Sequence, residues 1–128
     1  MASLQKILHV EDDPDIREIV KICLETLGGF KLLQCESGRV ALEAAEGFAP
    51  DLFILDMMMP GLNGIETLQA LREKDSLANV PAIFVSSVDT ADRYRADIEA
   101  LAIGAIQKPF DPTTLAQQVS DLWAQTQS

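Results

Sequence analysis

"KILHVEDDPDIREIV", residues 6–20, carries the information that decides the fold. Ile7 to Val10 form a nearly continuous apolar run, the pattern of a strand buried on both faces. The run stops at three consecutive acids, Glu11, Asp12 and Asp13. So much negative charge at the end of a buried strand is costly unless positive charge meets it. From Ile16 the apolar residues change period, and Ile16, Ile19, Val20, Cys23, Leu24 and Leu27 keep helical spacing.

The same alternation continues along the chain. Short apolar runs recur as "KLLQC" (31–35), "DLFIL" (51–55), "AIFVS" (82–86) and "AIQ" (105–107). Amphipathic segments separate them, among them Tyr94, Ile98 and Leu101, and then Leu115, Val119, Leu122 and Trp123. Asp13-Pro14 and Asp111-Pro112 each place a capping acid before a proline suited to a first helical turn. Asn63 with Glu66 has the spacing of a capping box, and the segment between Ser37 and Phe48 is rich in alanine that allows close packing. Five strands alternating with five helices predict an α/β, doubly wound, parallel five-stranded sheet with helices on both faces.

Composition narrows the function. The 128 residues are 48% hydrophobic, enough for a core, and no linker-like stretch divides them, so one domain over 1–128 is expected. Twenty acids against ten bases give a formal charge of -10, which argues against direct contact with nucleic acid. No leader-like segment or run near the ~20 apolar residues of a membrane span occurs. Cys23 and Cys35 sit on apolar positions without metal-ligand spacing and read as reduced core residues, so a cytoplasmic location is expected.

In such sheets ligands bind at the carboxyl ends of the strands. Those ends carry Glu11, Asp12 and Asp13, then Asp56, then Ser86 and Ser87, then Lys108. Converging carboxylates repel, and Mg²⁺ suits a site of few carboxylates with retained waters. Lys108 adds a compact positive charge and Ser86 a hydroxyl, a set able to stabilise a phosphoryl group moving onto a carboxylate oxygen.

With "VEDD" (10–13), "ILDMMMPGLNG" (54–64), "FVSS" (84–87) and "KPF" (108–110), the whole chain resembles a response-regulator receiver domain of two-component signalling. The resemblance implies the flavodoxin-like strand order 2-1-3-4-5 and a phosphorylation-activated switch. By position, Asp56 is the phosphoacceptor and Glu11 and Asp12 are metal-site acids. The Met58 carbonyl completes the Mg²⁺ shell, Ser86 is the switch hydroxyl, Lys108 contacts the phosphoryl group, and the Lys108-Pro109 bond is cis. The implied partners are a sensor histidine kinase or histidine phosphotransfer protein and a downstream protein target, with neither nucleic acid nor membrane insertion involved. Asp13 reads as a helix cap, with a metal contact as the alternative.

Several positions depart from the pattern. Met58 and Val88 stand two residues beyond the acceptor and the hydroxyl, where the family tunes loss of its phosphoryl group; both are apolar, so a long-lived phosphorylated form is expected. Ala105 stands where receivers commonly carry an aromatic three residues before the lysine, so readout is expected through the loop after Ser86, or through Tyr94 or Phe110. Leu101 replaces a usual glycine.

Met58 also occupies the position where aspartyl-phosphate hydrolases need a second Asp, which weakens that alternative. A flavin-binding module would need a hydroxyl- and glycine-rich loop where "EDDPD" stands. His9 reads as a structural histidine, Met57 to Met59 as filling for the strand end and loop in preference to an oxidation sensor, and Gly61 and Gly64 as turn glycines. The start of the chain and the polar tail "AQTQS" favour a stand-alone receiver over a piece of a longer regulator.

Overall fold

A computed structural model describes residues 3–127. Five parallel strands, β1 (Lys6–Val10), β2 (Lys31–Cys35), β3 (Leu52–Asp56), β4 (Ala82–Ser86) and β5 (Gly104–Gln107), form one sheet in the order β2-β1-β3-β4-β5. β3 and β4 are buried at every residue, as their unbroken apolar runs require. Two apolar clusters cover the sheet. One gathers Leu8, Val10, Phe53, Leu55 and Phe84, the other Ile7, Leu52, Ile54, Ile83 and Val85, so alternate strand residues face opposite helical layers.

The helices are α1 (Pro14–Lys21), α2 (Gly38–Phe48), α3 (Gly64–Arg72), α4 (Val88–Arg93), α5 (Arg95–Leu101) and α6 (Leu115–Thr126). Asp13 caps α1 by accepting from the Asp15 backbone N–H at 2.9 Å, with Pro14 at the first position. The capping box at α3 is complete: the Asn63 side chain accepts from Glu66 N–H, and the Glu66 side chain accepts from Asn63 N–H. Ser37 caps α2, whose small residues Gly38, Ala41 and Ala45 are buried.

Three expectations about helices need correction. The first helix does not continue regularly to Leu27; residues Ile22–Leu27 wind as a π-helix. In an α-helix Leu27 would lie one turn beyond Cys23 on the buried stripe, but the wider winding carries it away and leaves it 70% exposed. The segment around Tyr94 is not one helix. It breaks there (φ -106°, ψ 21°): Tyr94, Ile98 and Leu101 pack on the core, whereas α4 has no fully buried residue and reaches the core through the partly buried Ala91. Asp111 does not cap the last helix. Its carboxylate accepts from the backbone and hydroxyl of Thr113 in a turn, and α6 begins only at Leu115.

Both cysteines are free and buried, and Trp123 packs against the second cluster, as expected. His9 is buried in β1 with the Gln34 amide 3.2 Å from Nδ1, and that amide also donates to the Arg17 carbonyl. Burial, reinforced by the charges of Lys108 and Arg17, lowers the His9 pKa from 6.5 to about 3. The unfolded chain therefore takes up a proton below pH 6.5 that the folded chain refuses until about pH 3. Stability attributable to His9 should fall with acidification across that window, by up to about 1.4 kcal/mol per pH unit. Denaturant titrations of wild type and His9→Leu between pH 7 and 5 should show a shallower acid loss in the variant, since groups common to both cancel. Parallel pH slopes would contradict this.

Candidate functional site

Parallel strands β1, β3 and β4 end side by side, and the charged residues follow from that register. Asp56 and Ser86 are the last residues of their strands, not the first of the loops, so ladder pairing fixes their backbones; Asp56 is opposite Val85. The acids of β1 and β3 meet at this edge. Ligand oxygens of Glu11, Asp12 and Asp56 lie within 4.8 Å of one another, with Glu11 and Asp56 buried and Asp12 exposed.

Lys108 joins them. Its Nζ lies 2.9 Å from Glu11 Oε1 and 3.0 Å from Asp56 Oδ1, while its backbone N–H donates to the Ser86 carbonyl at 2.8 Å. The Lys108-Pro109 peptide is cis. Burial works to lower the Lys108 pKa, but hydrogen bonds and charge from Glu11 and Asp56 outweigh it, and the net shift is upward. Desolvation drives the Glu11 pKa from 4.5 to about 7 against the hydrogen bond from Lys108, with the Asp56 charge adding to the rise. One ammonium does not neutralise the acids.

Two contributors escaped the sequence reading. Arg17 donates from Nη1 to the carbonyls of Glu11 (2.8 Å) and Asp12 (3.1 Å), bracing the acidic loop from the first turns of α1. A base following the acids at helical reach was the available signal. Gly64 opens α3 against the end of β3, where a Cβ would lie 2.6 Å from the Asp56 carbonyl oxygen. It is thus a close-approach glycine; the positive φ of the loop (+77°) belongs to Gly61.

Ser86 is buried and its hydroxyl donates to the Ser87 carbonyl at 2.9 Å. Ala105 lies exposed on β5 beside a cavity of about 260 Å³ lined by Ser86, Val88, Ala91 and Asp92. Tyr94 and Phe110 pack against opposite core clusters. The methionine run divides: of the three residues expected to fill the strand end and loop, Met57 and Met59 are buried, while Met58 in the loop is 52% exposed.

Three clustered carboxylates with an elevated Glu11 pKa are a donor set suited to a hard divalent cation. Mg²⁺ should raise the unfolding temperature, by the equivalent of about 2.7 kcal/mol at 100 times its dissociation constant. Calorimetry should show that shift reduced in Asp12→Asn and enlarged in Lys108→Ala, where the cation takes over neutralisation. An unchanged transition in all three proteins would contradict the cation site.

Residues 7–120 match the family described as "Response regulator receiver domain". Response regulator Rre1 of Synechocystis is 34% identical across the whole chain, which covers 55% of Rre1. The DNA-binding response regulator MtrA of Mycolicibacterium smegmatis is 36% identical over 90% of this chain and 49% of MtrA. The chain thus spans about half the length of these curated relatives. Among solved structures, the chemotaxis response regulator CheY4 of Vibrio cholerae superposes with a TM-score of 0.84 at 27% identity, over 94% of this chain and 99% of that one. The receiver domain of sensor histidine kinase PA1611 from Pseudomonas aeruginosa, whose active-site cleft coordinates a magnesium ion, gives 0.80 at 25% identity over 94% and 98%. The chain belongs to the response regulator receiver domain family of two-component signalling.

Proposed function

We propose that the chain is a phosphorylation-driven switch, with Asp56 as acceptor and a phosphohistidine protein as donor. The observation that carries this reading is the Lys108 ammonium held between Asp56 and Glu11 with Asp12 within reach. An Asp56 oxygen attacks phosphorus, the bond from phosphorus to the donor imidazole breaks, and an acyl phosphate results. Glu11, Asp12, Asp56 and the Met58 carbonyl would hold Mg²⁺, which when bound would supply positive charge to the phosphoryl oxygens. Lys108 then leaves its carboxylates for a phosphoryl oxygen, and Ser86 turns its hydroxyl from Ser87 toward another.

The output follows from that rearrangement. With Ala105 in place of a ring, the movable part is the loop from Ser86 into α4, a helix with no fully buried residue, held to the core through the partly buried Ala91. A shift there changes the surface offered to a downstream protein. The charge of -10 argues against nucleic acid as this chain's own partner.

A donor surface adjoins the site. Ile16, Ile19, Lys108, Pro109, Phe110 and Pro112 line an apolar groove of about 360 Å³, continuous through Ile19 with a second near Ile22 and Leu27. A histidine-bearing helix seated there would reach Asp56 past Lys108.

Acetyl phosphate or a phosphohistidine protein should label wild type only with Mg²⁺ present, and Asp56→Asn should abolish labelling. Normal labelling of the variant contradicts the assignment. Ile19→Glu should slow transfer from a phosphohistidine protein about ten-fold, the loss of ~1.4 kcal/mol of docking energy, while leaving acetyl phosphate labelling unaffected. Equal slowing with both donors would contradict the docking face.

A further inference from the structure

Five large hydrophobic side chains are conspicuously exposed among the described residues: Ile19, Ile22, Leu27, Met58 and Val88. The first three share the groove beside α1. Met58 and Val88 lie apart from it, two residues beyond Asp56 and two beyond Ser86. The register places them at neighbouring strand ends, since Asp56 pairs with Val85 and the Met57 N–H donates to the Val85 carbonyl at 3.0 Å. The Gly64 N–H donates to the Met57 carbonyl at 2.9 Å and fixes the backbone from the other side. An apolar pair therefore flanks the acceptor.

Within "MMM" the three thioethers have different access to solvent. Met57 is 0% exposed and Met59 8%, whereas Met58 is 52% exposed. Oxidation of methionine follows access, and it turns a flexible apolar group into a polar one. The fold thus seals two methionines and presents the third beside the acceptor.

We propose that Met58 is a redox-modification site, at which hydrogen peroxide converts the thioether to the sulfoxide and so shortens the life of the phosphorylated state. The oxygen–oxygen bond of the peroxide breaks and a sulfur–oxygen bond forms. Sulfur loses two electrons, and the peroxide is reduced to water. A thiol-dependent sulfoxide reductase reverses the step at the expense of a dithiol. The thioether is a weak acceptor with little hold on water, whereas the sulfoxide oxygen is a strong acceptor that can orient a water for attack. That water attacks phosphorus, the bond from phosphorus to the Asp56 oxygen breaks, and inorganic phosphate leaves with the water's protons while the carboxylate is restored. Oxidant then acts as a reset signal. This regulation rests on Asp56 being the phosphoacceptor.

The test uses the whole chain. It is treated with hydrogen peroxide, quenched with catalase and mapped by peptide mass spectrometry. Treated and untreated samples are then labelled from acetyl phosphate with Mg²⁺, freed of donor, and followed for phosphoryl loss. Sulfoxide should accumulate at Met58 well before Met57 or Met59, and the oxidised chain should lose phosphate several-fold faster. Met58→Leu should decay at one rate with or without peroxide, and Met58→Gln, with a permanent polar amide, should decay fast without it. Equal oxidation at all three positions, unchanged decay after oxidation, or a peroxide response in Met58→Leu would overturn the proposal. Failure of Asp56 to label at all would overturn the acceptor reading and this regulation with it, whereas normal labelling with unchanged decay would overturn the regulation alone.

Discussion

The Lys108 ammonium between the Glu11 and Asp56 carboxylates is the contact on which the rest depends. It ties the ends of three strands whose residues are 97 and 52 positions apart in the chain, 108 − 11 and 108 − 56. Without it, two buried carboxylates would face each other, at a cost that favours a proton or a displaced loop. Even with it, a single ammonium faces the three carboxylates of Glu11, Asp12 and Asp56. A site left short of positive charge is poised to take a cation, and a lysine that already bridges two acids can turn to a third anionic partner. The switch proposed for the chain is a redistribution of these few charges.

Rigid and yielding parts are arranged around that balance. The strand ladders, the Arg17 brace, the complete capping box of α3 and the close approach at Gly64 hold the acids in place. The other side of the site is looser, because Ser86 leads at once into α4, which has no fully buried residue, and a cavity opens beside Ala105. In the proposed switch, movement is confined to the Ser86 edge while the acids keep their geometry. In the same proposed switch, the apolar rim at Met58 and Val88 limits the water ordered near the acceptor and so sets how long a phosphoryl group survives.

Much of this was legible in the residues. β1 to β4 announce themselves as short apolar runs, and the parallel sheet follows from their alternation with amphipathic segments. The strand order and the roles of single residues came from the receiver resemblance, because periodicity carries no information on order. The break at Tyr94 and the π-helix after Lys21 were not legible, since both arise from packing that apolar spacing leaves open: the same Ile, Cys and Leu positions serve an α-helix or a wider one. Asp111 misled because an acid before a proline satisfies a tight turn as readily as a helix cap. The Arg17 brace and the exposure of the Met58 side chain escaped the sequence reading for a common reason. Both depend on side-chain direction, which composition does not encode.

The most direct test of the central claim is diffraction from crystals soaked with Mg²⁺ and beryllium fluoride, a mimic of a phosphoryl group bound to carboxylate. The charge-balance account predicts density joined to an Asp56 carboxylate oxygen, a cation touching Glu11 and Asp12, and Lys108 Nζ moved from Glu11 to a fluoride. Density elsewhere, or an undisturbed Lys108–Glu11 contact beside a loaded Asp56, would contradict it.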